Sequence, residues 1–149
     1  MNKSIPFITV ILTMLVGLNS CNVEPKEINY GEDHCYYCDM TVVSKTHAAQ
    51  YVTKKGKAHM FDAIECMVRE INDRENEEEL AFMLVADYQN PGVLMNAHKS
   101  TFLICPEIKS PMGANLSAFS TEGKATSVKD DLGGNTYNWI KLRERFADQ

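Results

Sequence analysis

Residues 80–86, LAFMLVA, are apolar without a break. A short unbroken run of this kind, coming after a helical stretch, reads as a strand buried at the centre of a sheet. The polar, acidic stretch 72–79 precedes it, and Asn90-Pro91-Gly92 is a turn signal after it. A central strand needs partners at its edges and cover on its faces. The neighbouring sequence therefore has to supply further strands and helices.

Residues 40–43 are β-prone, and 48–54 continue in strand character with Tyr51, Val52 and Thr53. Lys55-Gly56-Lys57 marks a turn, and 58–61 reads as the returning strand of a hairpin. Asp62 and Glu65 have the spacing of a capping box. The helix they open carries Ile64, Met67, Val68 and Ile71 on one stripe. Cys66 points away from that stripe, so it is either exposed or turned toward a second surface. Beyond the central strand, 101–105 is a second apolar strand ended by Pro106, and 115–119 is another. Ser120 or Thr121 caps a helix carrying Ala125, Val128 and Leu132, which Gly133 and Gly134 stop. Tyr137 and Trp139 alternate on a last strand, and 140–146 reads as a short terminal helix. The order hairpin, helix, strand thus occurs twice, in approximate halves 34–90 and 91–149. Strands and helices do not alternate one for one, as they would in a parallel sheet. The expected fold is therefore α+β, two similar ββαβ units forming one compact globular domain.

The N-terminus bears on the compartment. Lys3 is followed by an apolar run over residues 5–18. That is shorter than the roughly 20 residues of a membrane-spanning helix, and it suits a signal peptide. Leu18-Asn19-Ser20-Cys21 closes the run in the manner of a bacterial lipobox. Residues 1–20 are then a lipoprotein signal peptide, Cys21 carries the lipid (palmitate or a related acyl chain), and 21–33 form a flexible polar tether. The domain at 34–149 would face the periplasm or the exterior from a bacterial cell envelope membrane. The net charge of −5 becomes more negative once Lys3 is removed. No basic patch is present of the kind a nucleic-acid partner requires.

Four cysteines remain: Cys35, Cys38, Cys66 and Cys105. Outside the cytoplasm they can form disulfides, with three connectivities. A bridge between Cys35 and Cys38 would close a small, strained loop, so Cys66–Cys105 is the better structural pair. The stretch HCYYCDM, 34–40, offers other chemistry. A thioredoxin-like thiol–disulfide oxidoreductase needs its first cysteine at a helix N-terminus, whereas this motif runs into strand-like Met-Thr-Val-Val. Structural zinc wants a second close pair, whereas Cys66 and Cys105 are far apart in sequence. Thiolate and thioether together are soft ligands and favour Cu(I). If 38–40 is a strand, Cys38 and Met40 share one face. His34, Cys35, His59 and Met60 are candidates for a further ligand. Met67 and Met83 fit apolar stripes and are assigned to packing. Met112, in Pro-Met-Gly, lies on a loop and ranks above them.

These features, taken in order along the chain, resemble the NosL-type lipoproteins, accessory proteins for assembly of the copper sites of nitrous oxide reductase. The resemblance rests on the lipobox, HCYYCDM with Thr41-Val42 after it, and Met60-Phe61-Asp62 before the first helix. It continues through Ala86-Asp87, Ser110-Pro111-Met112-Gly113, Leu116-Ser117-Ala118-Phe119 and Gly133-Gly134. It implies two ββαβ units, and Cu(I) binding and delivery without catalytic turnover. The recipient would be a copper-accepting enzyme or an ABC-type assembly complex, and the setting denitrification. Cys35, Cys38 and Met40 match the motif, and Met112 matches more weakly. Family members commonly have Gly where this chain has Asp39. Cys66 and Cys105 fall outside the motif, which leaves a disulfide or a second metal site open.

Overall fold

The computed structural model describes residues 22–147. The signal peptide expected at 1–20 and the lipidation expected at Cys21 fall on residues outside those described. Within them LAFMLVA does run through the middle of a sheet. The strands are β1 (Ala49–Thr53), β2 (Ala58–Phe61), β3 (Leu80–Asp87), β4 (Asn90–Asn96), β5 (Thr101–Ile104), β6 (Leu116–Phe119) and β7 (Asn135–Tyr137). They form one mixed sheet in the order β2-β1-β3-β6-β5-β7, with β4 also paired to β3. Every pairing is antiparallel except β3 with β6, where Asp87 lies opposite Ala118.

Three helices cover this sheet among the described residues: α1 (Ile64–Arg74), α2 (Glu122–Leu132) and α3 (Trp139–Ala147). The period-2 alternation of β5 shows how they divide. Phe102 joins Ile64, Met67 and Ile71 of α1 and Trp139, Leu142 and Phe146 of α3 in one buried cluster. Its neighbour Leu103 joins Ala125 of α2 in another. Helices α1 and α3 thus lie on one face and α2 on the other.

Several elements depart from the sequence expectation for local reasons. β4 replaces a plain turn at 90–92. Its side chains are exposed or half-buried, as suits an edge strand, where Pro91 forfeits no ladder bond that a central strand would need. β7 ends at Tyr137, and Trp139 opens α3 because Asn138 Oδ1 accepts from Lys141 N at 2.9 Å, an N-cap. The capping box at 62–65 does not form. Ala63 precedes α1 in an extended conformation with no side-chain cap. Asp62 instead accepts from Val43 N at 3.1 Å, and Glu65 turns inward to a different partner. The cap expected at Thr121 does form, with Lys124 N donating to its hydroxyl at 3.4 Å.

The described part of the expected tether, 22–33, is not free of the domain over its whole length. Lys26 N donates to Gln50 Oε1 at 2.9 Å, and Gln50 Nε2 donates to the Lys26 carbonyl at 2.7 Å. Ile28 is buried against Val42 and Ala48. The polar composition that suggested a tether hides this one apolar anchor, which covers the face of the β1–β2 hairpin opposite α1.

Candidate metal centre

HCYYCDM is a tight loop and not the start of a strand. His34 and Thr41 form an isolated antiparallel bridge. Between them Cys35 N donates to the Met40 carbonyl at 2.8 Å, and Asp39 N donates to the Cys35 carbonyl at 2.8 Å. His34 Nδ1 is 3.1 Å from the Asp39 carbonyl. The loop closes because Asp39 takes the left-handed conformation, φ +62°. Asp is one of the few side chains that tolerate it, and a glycine there would adopt it without cost. Cys38 and Met40 therefore do not share the face of a pleat; they flank a left-handed residue. Asp39→Gly is expected to raise stability by roughly 0.5–1 kcal/mol. Thermal unfolding reads this directly, and a lower midpoint would mean that the carboxylate itself holds the loop.

The loop is docked on both sides. Tyr36 N donates to the Met60 carbonyl of β2 at 2.8 Å. The Tyr36 ring lies 3.8 Å from His59 and edge-on to Tyr51 and Phe61. Tyr37 reaches α1 through a 3.3 Å hydrogen bond to Asp73. Pinned between β2 and α1, the loop brings Cys35 and Cys38 against Cys66, in the first turn of α1.

The three sulfurs all lie within 4.8 Å of one another, and those of Cys66 and Cys38 are 4.0 Å apart. Metal–sulfur bonds of about 2.3 Å put the corners of a trigonal site about 4.0 Å apart, so the triad fits a three-coordinate soft ion. Cys66 and Cys35 are buried, whereas Cys38 is half-buried. The group thus has two deep corners and one that is open.

Hydrogen bonding within the triad sets its protonation. A hydrogen bond from Cys66 draws the Cys35 thiol down to about 5, against burial, helped by backbone N–H groups of Asp62, Cys38 and Tyr37. The same bond, and then burial, pushes Cys66 up. Burial also raises Cys38. Of the three, Cys35 is the thiol whose deprotonated form its neighbours favour, and binding a cation would release the protons that remain.

The other sequence candidates separate clearly. Met40 is 51 % exposed, two residues beyond Cys38. Met112 is half-buried and packs, as Cys38 does, against the core cluster that contains Cys35 and Cys66. Met60 faces the opposite side, where its sulfur accepts from Gln50 Nε2 at 3.0 Å. His59 is buried under Tyr36, and its pKa is lowered, first by burial and then by Lys57 and Arg74. Neither His34 nor His59 joins the group of clustered ligand atoms. His34, Cys35, His59 and Met60 line an open groove of about 630 Å³ with Lys26, Asp33 and Asp39. The Cys66–Cys105 bridge does not form. Cys66 belongs to the triad, while Cys105 sits in a different core cluster and points at the Leu132 carbonyl, 3.6 Å away.

Cys66 is the candidate ligand that the motif did not include. Its signal was its position opposite the apolar stripe of α1, which left a second surface as one of its two readings. The first turn of α1 is buried all round, Ile64 through Val68, because the loop covers the side that the sheet does not.

A family model described as NosL matches residues 25–146 of the chain. No curated protein matches it. Among solved structures, the chain is similar to the crystal structure of the copper chaperone NosL from Shewanella denitrificans, at 19 % identity and a TM-score of 0.70. The match covers 80 % of this chain and 95 % of that one. At that identity the likeness is one of fold.

Proposed function

The chain belongs to the NosL family, whose members are accessory proteins and not enzymes, and on that footing we propose that it binds Cu(I) and hands it to a copper enzyme under assembly. The observation that carries the proposal is the Cys35–Cys38–Cys66 triad. Cu(I) accepts low coordination by sulfur, whereas structural zinc sites are closed by four ligands. Among the described residues no fourth histidine, cysteine or carboxylate joins the three. The buried sulfurs of Cys35 and Cys66 retain the ion. The half-buried Cys38 and the exposed Met40 are where an incoming ligand can reach it. Met112, half-buried against the same core cluster, is a further candidate.

The recipient we propose is nitrous oxide reductase, reached directly or through an ABC-type assembly complex. The lipid at Cys21 would hold the protein to a bacterial envelope membrane. No helix of the described residues is long and apolar enough to cross a membrane. The finer reading of the fold, two similar ββαβ units, is supported by the pairing pattern: β1 pairs antiparallel with both β2 and β3, and β5 with both β6 and β7.

Competition between Cu(I) and Zn(II) under reducing, anaerobic conditions tests the reading. The expected outcome is one Cu(I) per chain, retained against excess zinc. A protein that kept zinc and excluded Cu(I) would return the triad to a structural role.

A further inference from the structure

Glu65 is fully buried, next in sequence to Cys66. A carboxylate removed from water is costly unless its oxygens are engaged. One oxygen is engaged, and its partners all lie on the loop 110–115. Ser110 Oγ donates to Glu65 Oε1, and Ala114 N donates to the same oxygen at 3.3 Å. The second oxygen, Oε2, is buried with no hydrogen-bond partner. Glu65 therefore serves no network of its own; its engaged oxygen is a clasp for that loop.

The loop needs one. It joins β5 to β6 with two left-handed residues, Gly113 at φ +78° and Asn115 at φ +57°. Its internal bonds, Gly113 N to the Ser110 carbonyl at 3.0 Å and Asn115 N to Ser110 Oγ at 2.8 Å, both converge on Ser110. Ser110 is thus the hinge pin of the loop, and Glu65 grips the pin. Met112 is carried between these points, half-buried against the cluster that holds Cys35 and Cys66.

We propose that Glu65 is a positioning residue of the copper site, which fastens the 110–115 loop to α1 and so holds the Met112 thioether against the cysteine triad as an additional sulfur ligand. The proposal rests on the Cu(I) reading above. It adds a supporting residue on the same helix turn as Cys66, and it explains why a helix with an apolar core stripe buries an acid beside that cysteine.

The test uses the whole chain, purified reduced and without oxygen. Cu(I) is competed against a chromophoric Cu(I) chelator, and the number of bound sulfurs is counted by X-ray absorption. Glu65→Ala and Met112→Leu should each weaken Cu(I) binding about tenfold, each with one sulfur fewer at the metal. The double variant should be no weaker than either single one, because both remove the same ligand. Glu65→Gln keeps an acceptor for Ser110 and Ala114 and should bind like wild type. Amide hydrogen exchange at Ala114 and Asn115, read without metal, should rise in Glu65→Ala. If Glu65→Ala fails to fold, Ser110→Ala removes the donor alone and carries the same expectations. Unchanged affinity and sulfur count in Glu65→Ala would overturn the proposal, leaving Glu65 a purely structural group. Additive losses in the double variant would also overturn it. A wild-type chain that bound no Cu(I) would fail the reading of the site itself. The hydrogen-exchange arm would still report whether the clasp exists.

Discussion

Cys66→Ser is expected to lower Cu(I) affinity by about a hundredfold or more, about 2.7 kcal/mol, with the fold retained. Serine has nearly the volume of cysteine, so the first turn of α1 stays packed. Its hard hydroxyl replaces a soft sulfur at a fully buried corner, where no water can take over the ligand's place. Cys35→Ser should cost as much, since Cys35 is buried and hydrogen-bonded to Cys66. A shared pleat face would have made Cys38 and Met40 the leading pair; the tight loop instead puts the two buried sulfurs, Cys35 and Cys66, first. Cys105→Ser is the control: it lies in another cluster and should leave Cu(I) binding unchanged. Competition against a Cu(I) chelator measures all of these. If Cys66→Ser bound as tightly as wild type, the triad would be a core feature and the site would shrink to the motif alone.

Gly134→Ala should cost about 3 kcal/mol or more of stability, lowering the unfolding midpoint by roughly 10 °C. Gly134 joins α2 to β7 at φ +102°, where a side chain is strained in any surroundings. A Cβ there would run into the Ile104 carbonyl oxygen and stand 3.1 Å from Cys105 Cα. Both obstacles are on β5 or directly after it, so relief requires β5 and β7 to separate. Gly123 makes the comparison clean. It lies in α2 with open space where its Cβ would be, so Gly123→Ala should stabilise by up to about 1 kcal/mol. Thermal unfolding of the two variants side by side decides the matter. Equal midpoints would mean that the α2–β7 turn yields at little cost.

What the sequence made legible follows a physical division. Local signals worked: Lys55-Gly56-Lys57 turned the hairpin, LAFMLVA found the centre of the sheet, and Thr121 and Gly133 bounded α2. Signals that depend on a distant partner did not. Asp62 looks like a cap only until Val43 claims its carboxylate. Glu65 looks like the other half of a capping box until Ser110, far along the chain, takes it inward. Pro91 looks like a turn because nothing in its own neighbourhood reveals that β3 has an edge to spare. The candidate site divides in the same way. Cys35 and Cys38 were legible from spacing. The third sulfur was not, because Cys66 becomes a neighbour only when the loop folds over α1.

The mutual hydrogen bonds between Lys26 and Gln50 also set a length. Lys26 is a wall of the same groove as His34, Cys35 and His59. It lies five steps along the chain from position 21, and an extended chain covers at most about 17 Å over that count. Under the proposed lipidation of Cys21, the candidate metal site would be confined to a thin layer above the membrane, and its search for a recipient would be two-dimensional. Lengthening the leader with a flexible insert between residues 22 and 25 would widen that layer without touching a ligand. Delivery would then depend on reach and not on affinity.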